Sequence, residues 1–237
     1  MDFRFKQFGI AHDRCAHKVG TDGVLLGAWA DLMGGGRILD IGTGCGLIAL
    51  MAAQRAMQAE VTGIDIDAQS VEQAQENVAA SPFADRIRIV KADVRLYAAS
   101  NPTAGQFHHI LSNPPYHTEA LLPPDARRAA ARHTSGLTLT ELIHHAACML
   151  APNGTLHLII PAAAQSEVSA AAMAHSLHLT RLTLVRTTAT KPPRRALMSW
   201  QRSDSPLPLH HSELVLTQPD GRRTPEHEML TAEFYIR

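Results

Sequence analysis

Ile38-Leu39-Asp40-Ile41-Gly42-Thr43-Gly44-Cys45-Gly46 is an apolar run that breaks into three alternate glycines, and Leu47 to Arg55 follows with helix-forming residues. The stretch reads as a strand, a tight turn and a helix. Glycine serves where a backbone must turn sharply and approach a ligand with no Cβ in the way. Glycine turns also join strands to helices for structural reasons alone, so the surroundings decide. Val61-Thr62-Gly63-Ile64-Asp65 forms the next strand, and its final acid has the spacing of a carboxylate that binds ribose hydroxyls. The nicotinamide fingerprint G-x-G-x-x-G is not met, because the third glycine comes one residue early. Asp40, ahead of the turn, would repel a pyrophosphate but suits a cationic group such as a methionine ammonium. A methyl-donor cofactor is therefore expected at Gly42, Gly44 and Gly46, with Asp40 and Asp65 as its acidic partners.

Outward from this unit, strands and helices alternate. Thr21 to Met33 predicts a helix that stops at Gly34-Gly35-Gly36. Strands are expected at Arg37 to Ile41, Glu60 to Ile64, Ile87 to Lys91, His108 to Ser112 and Thr155 to Ile160. Helices are expected at Ala68 to Ala79, from Thr138 (whose Thr138-Leu139-Thr140-Glu141 has the capping-box pattern), and at Ala162 to Ser176. Such alternation means a doubly wound, mainly parallel sheet covered by helices on both faces, an α/β fold. The closing segments, Leu179 to Arg186, Ala196 to Trp200 and Glu213 to Thr217, lose the alternation and read as antiparallel strands. No repeat or linker divides the 237 residues, so one domain spanning 1–237 is expected, with a lead-in over 1–36.

Composition is that of a globular chain, with 45% hydrophobic and 19% charged residues. The start at Met1-Asp2-Phe3-Arg4-Phe5-Lys6 lacks the apolar run of a signal peptide, and no apolar stretch approaches membrane-spanning length. Cys15, Cys45 and Cys148 form no C-x-x-C pair, which fits reduced thiols and a cytoplasmic location without membrane attachment. The 14 histidines include the pairs His108-His109, His144-His145 and His210-His211, but no H-E-x-x-H or comparable ligand set, so no metal is expected.

Asn113-Pro114-Pro115-Tyr116 follows the fourth strand. Two prolines fix the backbone and remove two N–H donors. The Asn113 side-chain carbonyl and the Pro114 main-chain carbonyl are then two acceptors for the two hydrogens of a planar amino group, and Tyr116 adds a flat face for a base. The exocyclic nitrogen of adenine is a poor nucleophile because its lone pair is delocalised. Acceptors on both N–H bonds would stabilise the charge that develops on methyl transfer by about 3 kcal/mol per group. Alone, this element also fits a stiffened turn; after a strand, behind the glycine loop and Asp65, it points to amino-group methylation. Lys91-Ala92-Asp93 ends the third strand, where the acid can accept from the amino group of a cofactor adenine or cap a short following helix.

These motifs resemble the class I methyltransferases, and N-P-P-Y their amino-methylating branch. The lead-in from Phe5-Lys6-Gln7-Phe8 through Ala11-His12-Asp13-Arg14 to Lys18-Val19-Gly20-Thr21-Asp22-Gly23 is similar to the start of the bacterial valine-tRNA adenine N6-methyltransferases. The similarity continues through Gln75-Glu76-Asn77, Ser81 to Ile87 and the closing Phe234-Tyr235. It departs at His117, where relatives often carry another aromatic, and at Arg222 to His227, where a tyrosine-rich tail is usual. The resemblance implies a Rossmann-like seven-strand sheet with the last strand inserted antiparallel. It also implies S-adenosylmethionine contacts from Lys18 to Thr21, the glycine loop, Asp65, Asp93 and Asn113, and target-base contacts from Asn113 to Tyr116. The substrate so implied is the adenine that follows the anticodon of a valine tRNA.

With formal net charge zero, RNA contact would rest on local charge, and Arg127, Arg128, Arg132 and the Lys191 to Arg195 loop are the candidates. Three other readings use the same residues. The N-P-P-Y element suits a glutamine side-chain amide in a protein, or a guanine amino group, and the fold could serve as a non-catalytic RNA-binding module. Retention of the glycine loop, Asp65 and Asn113 speaks against the last.

Overall fold

A computed structural model describes residues 3–15, 18–100, 106–115, 136–205 and 207–236. The lead-in opens with a two-stranded antiparallel hairpin, β1 (Phe3–Arg4) and β2 (Gly9–Ile10), paired as Phe3↔Ile10 and Arg4↔Gly9. The first helix, α1 (Thr21–Trp29), is shorter than the apolar periodicity predicts. Ala30 leaves the helical conformation at ψ 133, and the Asp31 carboxylate instead accepts from the Met33 amide.

Strand and helix then alternate: β3 (Arg37–Ile41), α2 (Leu47–Arg55), β4 (Glu60–Asp65), α3 (Ala68–Ala79), β5 (Ile87–Lys91), α4 (Val94–Ser100) and β6 (Phe107–Ser112). After the next described residues come α5 (Leu139–Met149), β7 (Leu150–Pro161), a short 3-10 turn, α6 (Gln165–Met173), β8 (Leu177–Arg186), β9 (Arg195–Arg202), β10 (His210–Val215) and α7 (Pro225–Leu230). Local signals account for the helix starts. Asp67 caps α3 by accepting from the Ser70 amide, Thr138 and Glu141 form a full capping box on α5, and Thr224 with Pro225 starts α7.

The main sheet has the order β10-β8-β9-β7-β6-β3-β4-β5. β9 lies between β7 and β8 and runs antiparallel to both, so the seven-strand sheet with its seventh strand reversed is present. An eighth strand extends it. β10 pairs with β8 in parallel, with His210 opposite Arg181 through Val215 opposite Arg186, where an antiparallel strand was expected. Strand alternation sends Ile38 to a core with α1, α2 and α3, and Leu39 and Ile41 to a second core with α5 and α6. Two covered faces leave the sheet ends as the place for a site, and the parallel strands β3 to β6 all deliver their carboxyl ends to one of them.

Candidate active site

At that end lies a cavity of about 800 Å³, with walls from Lys18 to Gly23, Gly42 to Cys45, Asp65, Asp93 and Asn113 to Pro115. Of the residues expected from sequence, Lys18, Thr21, Gly42, Gly44, Asp65, Asp93, Asn113, Pro114 and Pro115 line it, whereas Asp40 and Gly46 do not. Tyr116 lies outside the described residues, as do Arg127, Arg128 and Arg132.

The turn after β3 is built from left-handed glycines, with φ of 73 at Gly42, 54 at Gly44 and 85 at Gly46. The Gly42 and Thr43 amides donate to the Ile64 carbonyl at 2.9 and 3.0 Å, which stitches the turn to the end of β4. Asp65 completes the join, accepting from the Gly44 amide at 2.8 Å and from the Asp67 amide at 3.0 Å. A Cβ at Gly42 or Gly44 would meet nothing within 4 Å, so both present bare backbone to open space. Gly46 has a different task. It caps the start of α2, where a Cβ would stand 3.4 Å from the Ala74 side chain, away from the cavity wall.

Asp40 sits behind this turn. It is fully buried; one carboxylate oxygen accepts from the Thr43 hydroxyl at 2.6 Å and from the Ala49 amide at 3.1 Å. The other oxygen is buried with no hydrogen-bond partner among the described residues. Burial pushes this carboxyl up to about 7, because a charged carboxylate is poorly solvated there. Sequence placed Asp40 on the cavity wall; the pleat turns it inward, since Leu39 and Ile41 take the opposite face.

Asp93, at the end of β5, is gripped by Arg95. The Arg95 Nε lies 3.0 Å from both carboxylate oxygens and Nη2 2.6 Å from one of them. These bonds hold the Asp93 carboxyl below its ordinary range. The Arg95 amide also donates to Asp93 at 2.9 Å, so the capping arrangement and the cavity wall involve the same carboxylate. Asn113 leaves β6 next to α1, where a Cβ on Gly23 would stand 3.0 Å from Leu47 and 4.0 Å from the Asn113 amide nitrogen. A side chain at position 23 would crowd the glycine-loop helix beside Asn113.

Sequence reasoning gave no role to the residues that hold the lead-in. Asn77 on α3 is buried and accepts from the Ala11 amide at 2.9 Å. Its amide nitrogen donates to the carbonyls of Ala11 and Cys45, both at 2.8 Å. One side chain therefore ties the lead-in to the glycine loop. Gln73, one helical turn earlier, accepts from the Arg14 amide and donates to Asp13, and Arg14 pairs with Glu76. The spacing of Gln73, Glu76 and Asn77 on one helix face was the available signal.

A family model described as the methyltransferase small domain matches residues 20–186. The tRNA1(Val) (adenine(37)-N6)-methyltransferase of Bacteroides fragilis is 43% identical, covering 99% of this chain and 98% of the relative. That of Tolumonas auensis is 42% identical, covering 99% and 97%. Among solved structures, one from Agrobacterium tumefaciens described as a predicted O-methyltransferase aligns with a TM-score of 0.70 at 23% identity, over 90% of this chain and 96% of that one. That likeness shows the fold.

Proposed function

From its membership in the tRNA1(Val) (adenine(37)-N6)-methyltransferases, the family to which the chain belongs, we infer that it transfers a methyl group from S-adenosylmethionine to N6 of adenine 37 in a valine tRNA. One observation carries the assignment of the chemistry to particular residues: Asn113, Pro114 and Pro115 share a single cavity with the glycine loop and Asp65.

The residues present fit the cofactor. Behind the loop the Asp40 carboxyl keeps one oxygen with no hydrogen-bond partner among the described residues, the bare backbone at Gly42 and Gly44 permits close approach, and Asp65 and Asp93 supply two carboxylates on the wall. Each Asp65 oxygen accepts one backbone N–H and keeps acceptor capacity for a hydroxyl. Lys18 and Thr21 close the same wall from the lead-in. When bound, S-adenosylmethionine supplies a methyl group on a positively charged sulfur.

Asn113 and Pro114 carry the acceptor side of the reaction. Their two carbonyl oxygens take the two N–H bonds of the adenine amino group, orient its nitrogen and stabilise the positive charge that grows on it. The prolines fix the backbone that carries both acceptors, and positioning of this kind matters most when reacting atoms are about 3 Å apart. No general base is assigned, since the amino proton can leave after transfer. An anticodon loop presents its adenine already partly unstacked, at lower cost than a base flipped from a duplex. A tRNA substrate supports a cytoplasmic location.

The test is nucleoside mass spectrometry of valine tRNA from cells lacking this chain, paired with transfer of labelled methyl to total tRNA or to a protein mixture. Loss of N6-methyladenosine and label in tRNA are expected. Label confined to protein would support the glutamine-amide reading instead.

A further inference from the structure

The order of strands divides the sheet end in two. Asp65 ends β4 and Asp93 follows the end of β5 by two residues on one side of the glycine loop; Asn113 follows directly after β6 on the other, and beyond it come β7, β9, β8 and β10. A cofactor on the acidic half leaves the half beyond Asn113 to the substrate. Residues 187–194, which join β8 to β9, stand at that end because β9 runs antiparallel to both β7 and β8, so β8 points the same way as β6 and β7.

The cations there are not equivalent. Arg186 is committed to Glu213 by two 3.0 Å bonds, Arg195 to Asp22 at 2.7 Å and Arg222 to Asp220 at 2.7 Å, while Arg223 lies 4.0 Å over the Tyr235 ring. Lys191 and Arg194 are exposed and have no ion-pair partner among the described residues. Their backbone is pinned. Arg186 Nη1 donates to the Lys191 carbonyl at 2.8 Å, the Arg194 amide donates to Val185 at 2.9 Å, and the Arg194 carbonyl accepts from Ala162 at 3.0 Å. The corner also adjoins the site, for Arg195 follows Arg194 and its partner Asp22 lines the cavity.

From these facts we propose that the β8–β9 corner is a phosphate-binding surface, with Lys191 and Arg194 holding the tRNA backbone next to the nucleotide that enters at Asn113. The proposal rests on the tRNA-methyltransferase reading and adds the surface that holds the substrate. Paired arginines cannot release their carboxylates without cost, so unpaired cations on a fixed corner are the groups that gain from phosphate. On a chain of zero net charge, such local placement must supply the attraction.

The experiment measures tRNA affinity against salt concentration for the full chain, for Lys191→Ala/Arg194→Ala, and for Arg88→Ala/Lys91→Ala at the opposite sheet edge. Each lost phosphate contact lowers the slope of log affinity on log salt by about 0.7 for single-stranded RNA, so the corner variant is expected to lose about 1.4. The edge variant is expected to keep the slope of the full chain, and S-adenosylmethionine affinity by calorimetry should be the same in all three. An unchanged slope in the corner variant overturns the proposal, as does an equal loss in both variants. A full chain that neither binds nor methylates tRNA overturns the underlying reading instead, whatever the variants do.

Discussion

Replacing Asn77 by alanine should damage stability and cofactor binding together, because one side chain serves both. Asn77 is 5% exposed and makes three hydrogen bonds, at 2.9 Å from the Ala11 amide and at 2.8 Å to the carbonyls of Ala11 and Cys45. A typical intramolecular hydrogen bond contributes about 1 kcal/mol net, and backbone groups left unpaired in a buried place cost somewhat more, so Asn77→Ala should lose about 3 kcal/mol. For a domain of this size each kcal/mol corresponds to about 2–4 °C, which sets the expected fall in Tm at about 6–12 °C by calorimetry. The same change releases the lead-in that carries Lys18 to Thr21 from the loop that carries Gly42 and Gly44. S-adenosylmethionine Kd should rise about tenfold, or about 1.4 kcal/mol. Val168→Ala, in α6 on the opposite face of the sheet, is the control: it removes buried apolar volume and lowers Tm, but leaves Kd alone at temperatures where both variants are folded. A fall in Tm below about 2 °C refutes the hydrogen-bond argument. A large fall in Tm with unchanged Kd refutes the tether.

Asn113→Ala should retain S-adenosylmethionine binding and lose methyl transfer by about two to three orders of magnitude in single-turnover assays on tRNA; near-normal transfer would remove the acceptor role. His109 and His157 are stacked in the sheet interior, with His157 Nδ1 2.8 Å from the Ser199 hydroxyl, and burial lowers both from the ordinary histidine value, His157 the further. The unfolded chain therefore binds more protons in mildly acid solution, and stability should fall as pH drops below about 6.5, by up to about 1.4 kcal/mol per pH unit for each histidine. Denaturant titrations at pH 7.5 and 5.5 on the Asp40→Asn variant, which removes the opposing carboxyl, check this, and equal stability at both would contradict it. For Asp40, raised to about 7, the sign is opposite: its contribution to the ligand-free fold is full below the ordinary carboxylate value and is lost as pH rises toward 7. A cofactor ammonium favours the charged form, so binding should tighten as pH rises through about 7 and release protons. Calorimetry in buffers of different ionisation heat tests it, and buffer-independent heats, or the same pH dependence in Asp40→Asn, would count against it.

What the sequence disclosed and what it withheld have a common physical origin. Periodicity is local, so β3, α2, β4 and α3 could be read from residues close in the chain, as could the Thr138–Glu141 capping box. Two-residue strands carry no period, and β1 and β2 went unseen. Whether Asp40 faced the cavity or the core depended on the pleat, one residue either way, which composition does not settle. The Asn77 bonds join groups 66 and 32 residues apart, and the Asp22–Arg195 pair spans 173, so no local pattern announces them. Arg95 was near enough to notice, yet an acid two residues before an arginine is too common to signal a clamp. The most consequential gap is order. In sequence the motifs run glycine loop, Asp65, Asp93, Asn113, which makes Asp93 and Asn113 neighbours. In the sheet the order is β6, β3, β4, β5, and with strands about 4.8 Å apart these two residues end up roughly 14 Å from each other. The glycine loop, first in sequence, lies between Asn113 and both carboxylates. On the proposed reading, a cofactor held at Asp65 and Asp93 and a base held at Asn113 would meet over this loop with their reacting atoms about 3 Å apart, so a side chain at Gly42 or Gly44 would take up the space they need besides straining the turn.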